Sequence, residues 1–188
     1  ICKEIICTVP AYSLKKLIND SGLVLQLNKI IYSPVDVFHF GFKKKNIQNK
    51  KQGFGVLTKP LDGKSYLGIL FNSRIFDYVS PKDNELFTVL VGGERQKNLC
   101  EMEPDKLKKL ILEELEDLLG HKGETIIDNH YRWSKGIPQF NLDHSDLLNA
   151  IENFEKNNSN FHLIGNYFNG VSVSDCIKKS RELVKTIN

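Results

Sequence analysis

A one-sided stripe of apolar residues between Pro104 and Leu119 constrains the fold more than any other feature of the sequence. The spacing of the stripe is helical, which predicts one amphipathic helix that has to bury this face. Proline stands at the first helical position and Gly120 follows the last, and both are favoured at those helix ends. The helix therefore needs an apolar partner surface for Leu107, Leu110, Ile111, Leu115, Leu118 and Leu119.

Several strands are predicted before this helix. Alternation over residues 35–42 places Phe38, Phe40 and Phe42 on one face of a strand, with Val35, Val37 and His39 on the other. Residues 53–58, 65–73 and 86–91 predict three more strands, and the turn at Asp62-Gly63 favours an antiparallel connection. Further strands are predicted at 1–9, 125–133 and 161–165, with helices at 11–19, 145–154 and near the C-terminus. We predict an α+β fold, a mixed or antiparallel sheet packed with helices.

Composition and charge exclude several classes of function. With 40% hydrophobic and 26% charged residues, the chain matches an ordinary globular protein, and no apolar run approaches the ~18 residues of a membrane span. The net charge is only +3, and the lysines cluster in one loop at residues 43–52, which argues against nucleic acid as a partner. Four cysteines without a C-x-x-C pair predict free thiols and a cytoplasmic location. No metal site and no catalytic acid or base is predicted.

One segment has a pattern suited to binding an anion. A short strand at 161–165 leads through a glycine-rich turn, which includes Asn169, into a helix beginning near Val171-Ser172. A helix N-terminus presents backbone N–H groups that favour negative charge or an electron-rich carbonyl. A plain strand–helix connection explains the same residues equally well. The glycines at 53 and 55 lack the third glycine and the following helix of a dinucleotide fingerprint.

The same segment resembles the C-terminal flavin motif of the flavin-containing amine oxidase superfamily, through Gly165-Asn166 and residues 170–177. Within that superfamily the chain is most similar to the oxygen-dependent protoporphyrinogen oxidases. Further matches follow in the same order as in that family. They lie at residues 7–11, 53–57, 67–73, 91–93 and 132–140.

The resemblance implies an FAD-dependent oxidase that converts protoporphyrinogen IX to protoporphyrin IX in haem biosynthesis, with molecular oxygen as acceptor. It implies that residues 1–20 are an edge of the FAD-binding domain, that 21–132 form the substrate-binding domain, and that 133–188 are a C-terminal flavin-contacting segment. The glycine-rich FAD fingerprint would lie in an N-terminal half before Ile1. These 188 residues alone are then expected to be inactive and to hold FAD weakly. Peripheral association with the inner face of a membrane and a homodimer are left open.

Residue roles follow from the matched motifs. The implied flavin contacts are Trp133, Gly165, Asn166, Gly170, Val171 and Ser172, and the implied contacts to the apolar porphyrinogen are Leu57, Leu70 and Leu90. The position of Leu90 is usually aromatic in the family, so the sequence departs from the pattern there.

Two alternatives stay open. One is another flavin amine oxidase or a desaturase-like enzyme with a different apolar substrate. The other is a non-catalytic module that binds a hydrophobic ligand or a protein, which the phenylalanine-rich strand at 35–42 would also suit.

Overall fold

The structure is a computed structural model that describes residues 2–50, 52–168 and 170–187. Ile1 of the predicted first strand, Lys51 of the lysine loop and Asn169 of the glycine turn lie outside the described residues. In chain order the elements are β1 (Ile5–Cys7), α1 (Ala11–Leu14), α2 (Ser21–Lys29), β2 (Tyr32–Lys43), β3 (Gly55–Leu57), β4 (Gly68–Leu70), α3 (Asn72–Ile75), β5 (Asn84–Gly92), α4 (Pro104–Leu119), β6 (Ile127–Pro138), α5 (His144–Asn157), β7 (Phe161–Leu163) and α6 (Val173–Ile187). Short 3-10 helices occur at Lys44–Asn46, Pro60–Asp62 and Lys97–Glu101.

The chain forms two compact units, the first from residues 1–32 and 137–188 and the second from residues 33–136. The resemblance implied boundaries after residues 20 and 132, whereas the units divide after 32 and 136. Residues 21–29 account for most of the difference at the first boundary, because they form α2 and pack within the first unit. The assignment of the units to FAD and to substrate stays a prediction.

The first unit is held together by helices around a parallel strand pair. β1 pairs with β7, Ile5 opposite Phe161 and Cys7 opposite Leu163. The helix predicted at 11–19 ends at Leu14, and α2, which was not predicted, begins at Ser21. The carboxylate of Asp20 caps α2 by accepting a 2.8 Å hydrogen bond from the Leu23 amide. The buried side chains of this unit belong to α1, α2, α5 and the strand pair, and they include Leu14, Leu23, Leu27, Leu147, Ile151 and Tyr167.

The second unit is a five-stranded sheet with the order β3-β4-β5-β2-β6. β3, β4 and β5 form the predicted antiparallel meander, and β5 continues antiparallel to β2 from Val35 opposite Gly92 to Lys43 opposite Asn84. Helix α4 has the predicted bounds and ends at Gly120 in the left-handed conformation, with φ 59°. The predicted α+β fold is confirmed.

Helix α4 covers one face of this sheet, as its apolar stripe requires. Leu107, Ile111, Leu115 and Leu119 are buried there. They share one core with the inward side chains of the sheet, which include Phe38, Phe40, Phe42, Ile69, Phe87, Val89 and Val91. The predicted substrate residues Leu57, Leu70 and Leu90 lie on the opposite face of the sheet.

A buried charge cluster joins β6 to β2. The Asp36 side chain is 0% exposed, and its carboxylate accepts hydrogen bonds from Arg132 Nε at 2.9 and 3.2 Å. His130 Nε2 contacts the same carboxylate, and the His130 ring stacks on Phe38 with centroids 4.4 Å apart. Arg132 also donates to the Met102 carbonyl at 3.0 Å. Asp36 therefore fixes which residues of β6 face the α4 side of the sheet.

Among the residues that the structure describes, no helix has both the length and the apolar character needed to cross a bilayer. Peripheral membrane association and a homodimer stay predictions.

Replacing Asp36 by alanine is expected to lower the free energy of unfolding by about 2–3 kcal/mol, because it leaves the partly buried Arg132 guanidinium without its counter-charge. Urea denaturation followed by circular dichroism measures the change. The matched control is Asp117→Ala, which breaks an exposed 3.6 Å ion pair with Lys64 and should cost no more than about 0.5 kcal/mol. Equal effects of the two substitutions would refute the anchoring role of Asp36.

Cys100 is expected to resist alkylation in the folded protein at pH 8. Burial raises the pKa of its thiol to about 12, and the neighbouring Asp36 carboxylate adds to the shift, so the reactive thiolate is scarce. Because this pKa is raised in the folded state, the unfolded chain loses the thiol proton first, and the free energy of unfolding falls as the pH rises from about 9 toward about 12. Mass spectrometry after iodoacetamide treatment should find the exposed Cys2 modified and Cys100 unmodified. Modification of Cys100 at the rate of Cys2 would contradict this.

Candidate functional site

The three predicted substrate leucines lie on one face of the sheet in the second unit. Leu57 is paired with Gly68, and Gly68 with Leu90. Leu70 stands two residues beyond Gly68 in β4. Paired residues project to the same side of a sheet, and the side repeats every second residue. We call this side, which also contains Val37, His39 and Thr88, the leucine face.

The leucine face is open at Leu57 and Leu70, in contrast to the face that packs on α4, whereas Thr88 on the same face is buried. Leu57 is 86% exposed, while Ile69 on the neighbouring strand and the other face is 1% exposed. Gly68 lies between Leu57 and Leu90 and has no side chain. The Leu57 side chain lies over it, since a Cβ on Gly68 would be 2.9 Å from Leu57 Cδ2. The common face of the three leucines is therefore observed. Their role as substrate contacts stays a prediction.

Two aromatic residues of β6 extend this apolar surface. His130 and Arg132 turn toward Asp36, so alternation along the strand directs Tyr131 and Trp133 to the leucine face. Both rings are more than half exposed, and their centroids are 4.5 Å apart. The predicted flavin contact Trp133 is thus an exposed residue beside the leucine face and not a core tryptophan.

A polar chain on the leucine face was not predicted from the sequence. Thr88 donates its hydroxyl to Asn72 Oδ1 at 2.8 Å, so its oxygen accepts from Nδ1 of His39 at 3.0 Å. A neutral His39 in this arrangement keeps Nε2 as a hydrogen-bond acceptor. The sequence places His39 on one strand face with Val35 and Val37 but does not predict its partner, because the register that brings Thr88 beside it is a long-range feature.

The glycine turn of the first unit is supported from two sides. Tyr167 is fully buried, and a Cβ on Gly165 would come within 2.5 Å of its ring, so this close approach requires glycine. Burial raises the pKa of the Tyr167 phenol, which keeps it protonated. His144 Nε2 donates a 2.7 Å hydrogen bond to the Phe168 carbonyl, and Asn166 is half-buried within the turn. These contacts give the turn a defined conformation.

The start of α6 differs from the expectation of unpaired amides. Ser172 and Asp175 form a reciprocal capping box, in which Asp175 N donates to Ser172 Oγ at 3.1 Å and Ser172 N donates to Asp175 Oδ2 at 3.3 Å. Gly170 lies against this box, and a Cβ there would overlap the Asp175 side chain. The helix therefore satisfies two of its own amides. Val171 and Val173 at its start remain exposed, so the bend is not buried under its own side chains.

Comparison with known families identifies the chain. The profile of the family described as flavin containing amine oxidoreductase matches residues 2–188. The chain belongs to this family. Its members contain flavin, so a flavin is the cofactor that the family implies for this chain.

Relatives within the family share a narrower name. The chain is 33% identical over 180 residues to protoporphyrinogen oxidase 2, chloroplastic/mitochondrial, of Arabidopsis thaliana, which covers 92% of this chain and 35% of the relative. It is 27% identical over 213 residues to protoporphyrinogen oxidase of Dictyostelium discoideum, which covers 98% of this chain and 40% of the relative. The chain thus spans little more than a third of the length of these curated relatives.

Solved structures support the fold of this family. A crystal structure from Exiguobacterium sp. 255-15, to which protoporphyrinogen oxidase activity is provisionally assigned, has a TM-score of 0.78 and 19% identity, covering 98% of this chain and 40% of that one. Reduced UDP-galactopyranose mutase has a TM-score of 0.70 and 16% identity, covering 88% and 36% of the two chains. At such identities the similarity concerns the fold only.

Leu57→Ala is expected to change the free energy of unfolding by no more than about 0.5 kcal/mol, because the side chain is exposed. Ile69→Ala, one strand away on the α4 side, should cost about 2–5 kcal/mol through lost burial and a cavity. Urea denaturation of both variants makes the comparison. A large loss of stability in Leu57→Ala would show that the leucine face serves folding and is not free for a ligand.

Proposed function

We propose that this chain provides the substrate-binding sheet and the C-terminal flavin-contacting segment of an FAD-dependent oxidase that acts on protoporphyrinogen IX with molecular oxygen. The observation that carries the proposal is the open leucine face, in a chain 33% identical over 180 residues to a plant protoporphyrinogen oxidase. An exposed apolar surface of this kind indicates a ligand or partner.

The leucine face suits a large, flat and mainly apolar molecule. Leu57, Leu70 and Leu90 offer side chains on one side of three adjacent strands, and the Leu57 side chain lies over Gly68 between them. Each apolar side chain that the macrocycle covers contributes binding free energy in proportion to the area removed from water. Tyr131 adds aromatic surface at the β6 edge of the same face, beside Trp133, whose role as a flavin contact stays a prediction.

His39 supplies a polar contact within this apolar surface. Its Nδ1 is engaged with Thr88, so Nε2 is the atom left to accept a hydrogen bond. A porphyrinogen carries pyrrole N–H donors. We assign His39 the role of accepting one of them, which orients the macrocycle on the face.

The glycine turn and the start of α6 fit a flavin. When bound, the flavin supplies hydride acceptance from the substrate. The turn at 165–168 is fixed by Tyr167 and His144, and the exposed Val171 and Val173 present an accessible apolar edge at a helix N-terminus. The partial positive charge of that terminus favours an electron-rich ring edge, although Asp175 in the capping box offsets part of it. Gly165, Asn166, Gly170, Val171 and Ser172, which lie in this turn and at the start of α6, are the flavin contacts in this proposal.

A related enzyme with a different flat apolar substrate is the second candidate. Leu90, where the family usually has an aromatic residue, favours it, because one stacking ring is absent from the face.

The test uses the complete polypeptide in which these residues occur, purified and assayed aerobically for flavin absorbance and for formation of fluorescent porphyrin from protoporphyrinogen IX. The double variant Leu57→Ala, Leu70→Ala should raise KM by about tenfold or more with kcat largely kept. The reason is that it removes contacts made equally to the bound substrate and to the transition state. The matched control is Leu61→Ala, a leucine that is 97% exposed in the 3-10 helix Pro60–Asp62, and it should leave KM unchanged.

Three outcomes separate the candidates. Porphyrin formation that depends on the leucine face supports the proposal. Bound flavin without turnover of porphyrinogen, together with turnover of another apolar substrate, supports the second candidate. Absence of bound flavin, or equal effects of the double variant and of Leu61→Ala, refutes the proposed site.

A further inference from the structure

A polar cavity lies at the end of the second unit's sheet, where β2 finishes and β5 begins. Its volume is about 520 Å³, and all of the described residues that line it except Pro81 are polar or charged. We call it the lysine cavity, because Lys44, Lys50 and Lys82 line it together with Arg74, Asp77 and Glu85. It differs in character from the apolar leucine face.

The base of the lysine cavity is a buried ion pair. Arg74 and Glu85 have side chains only 5% exposed, and Arg74 Nη2 and Nε lie 2.7 and 2.8 Å from Glu85 Oε2. Arg74 also donates to the Asn49 carbonyl at 2.8 Å, and its guanidinium lies 4.8 Å from the Phe71 ring centroid. This base is electrically balanced and held in place from several directions, so it forms a rigid floor.

The rim of the lysine cavity carries the excess charge. With Arg74 and Glu85 neutralising one another, three lysines stand against Asp77, which leaves a net charge of +2 in the described lining. Among the described residues, none of the three lysines forms an ion pair within 4.0 Å. A cleft lined by one sign of charge concentrates ions of the other sign.

The backbone of the rim is ordered by local hydrogen bonds. Lys44 begins a 3-10 helix, and its amide donates to the Asp83 carbonyl at 2.7 Å. Lys82 lies in a turn that is closed by a 2.9 Å bond from the Asn84 amide to the Pro81 carbonyl. Two of the three ammonium groups are therefore attached to connected, defined segments, so a ligand does not have to order that backbone when it binds.

We propose that the lysine cavity binds a ligand bearing phosphoryl groups with at least two negative charges. Lysine is a common phosphate ligand, since its ammonium is a compact charge with three donors. The volume accommodates a diphosphate or a phospholipid headgroup, and the net charge of +2 matches such an anion. The cavity is separate from the leucine face. Glu85 is five residues from Leu90 along β5, which is about 17 Å of extended strand. Glu85 is paired with Phe42, which faces α4, so it lies on the other side of the sheet from the leucines.

The test titrates the complete polypeptide in which these residues occur with sodium pyrophosphate, and separately with vesicles of phosphatidylcholine with or without phosphatidic acid, at low and at physiological salt. The cavity variant Lys44→Gln, Lys50→Gln, Lys82→Gln should weaken binding by about tenfold or more, as expected for the loss of three partly exposed charge contacts. The control variant is Lys43→Gln, Lys45→Gln, Lys122→Gln. It removes the same charge from nearby exposed positions that do not line the cavity, and should change binding less than about threefold. The single variant Lys82→Gln should give an intermediate loss if the triple variant unfolds.

Pyrophosphate binding that depends on the cavity lysines, without preference for phosphatidic acid vesicles, identifies a free phosphorylated ligand. Binding to phosphatidic acid vesicles that depends on the cavity lysines, without binding of pyrophosphate, identifies a lipid headgroup. No binding in either experiment, or equal losses in the cavity and control variants, overturns the proposal, because general surface charge would then explain the result. Neither readout involves flavin or oxidase activity, so a failure here leaves the proposed function standing, and the reverse also holds.

Discussion

The carboxylate of Asp36, fully buried between β2 and β6, sets the orientation of a whole edge of the sheet. An unpaired charge in that position would be costly, so Arg132 and His130 have to face it. Once those two side chains turn toward the α4 side, the strand alternation leaves Tyr131 and Trp133 on the other side. The contacts of Arg132 and His130 with Asp36 on the α4 side therefore place the aromatic rings on the leucine face. A slip of one residue in the register of β6 would turn these rings toward the α4 side.

The sheet of the second unit uses its two faces for different purposes. The face with Phe38, Ile69 and Val89 packs against α4 and accounts for the core of this unit. The face with Leu57 and Leu70 contributes little to that core. A surface that folding does not need is free to match a ligand, which is why the exposure of these leucines supports a binding role more strongly than their chemical type does.

The glycine turn of the first unit is held in place by contacts within the chain. The Tyr167 ring against Gly165, the bond from His144 to the Phe168 carbonyl, and the Ser172–Asp175 capping box each fix a part of it. Gly170 is explained by its contact with Asp175, so the glycine pattern serves the local fold as well as any cofactor. A substitution at Gly170 would disturb the capping box first, and loss of flavin in such a variant would not by itself demonstrate a direct contact.

The sequence alone determined the features that depend on short-range chemistry. The bounds of α4 follow from Pro104, Gly120 and a stripe at helical spacing, and the meander of β3, β4 and β5 follows from alternation and turn residues. Strand periodicity also allowed the three leucines to share one face, and the register that pairs Leu57 and Leu90 with Gly68 established it. Helix α2 was missed, since the Asp20 region signals a helix start and a helix end equally well. Only the tertiary structure decided that β5 pairs with β2, that Asp36 meets Arg132 and His130 across about a hundred residues, and that Lys44, Lys50 and Lys82 border one cavity. Those contacts depend on register and packing between distant segments, and no local pattern of residues encodes which distant partner a strand or a charge will meet.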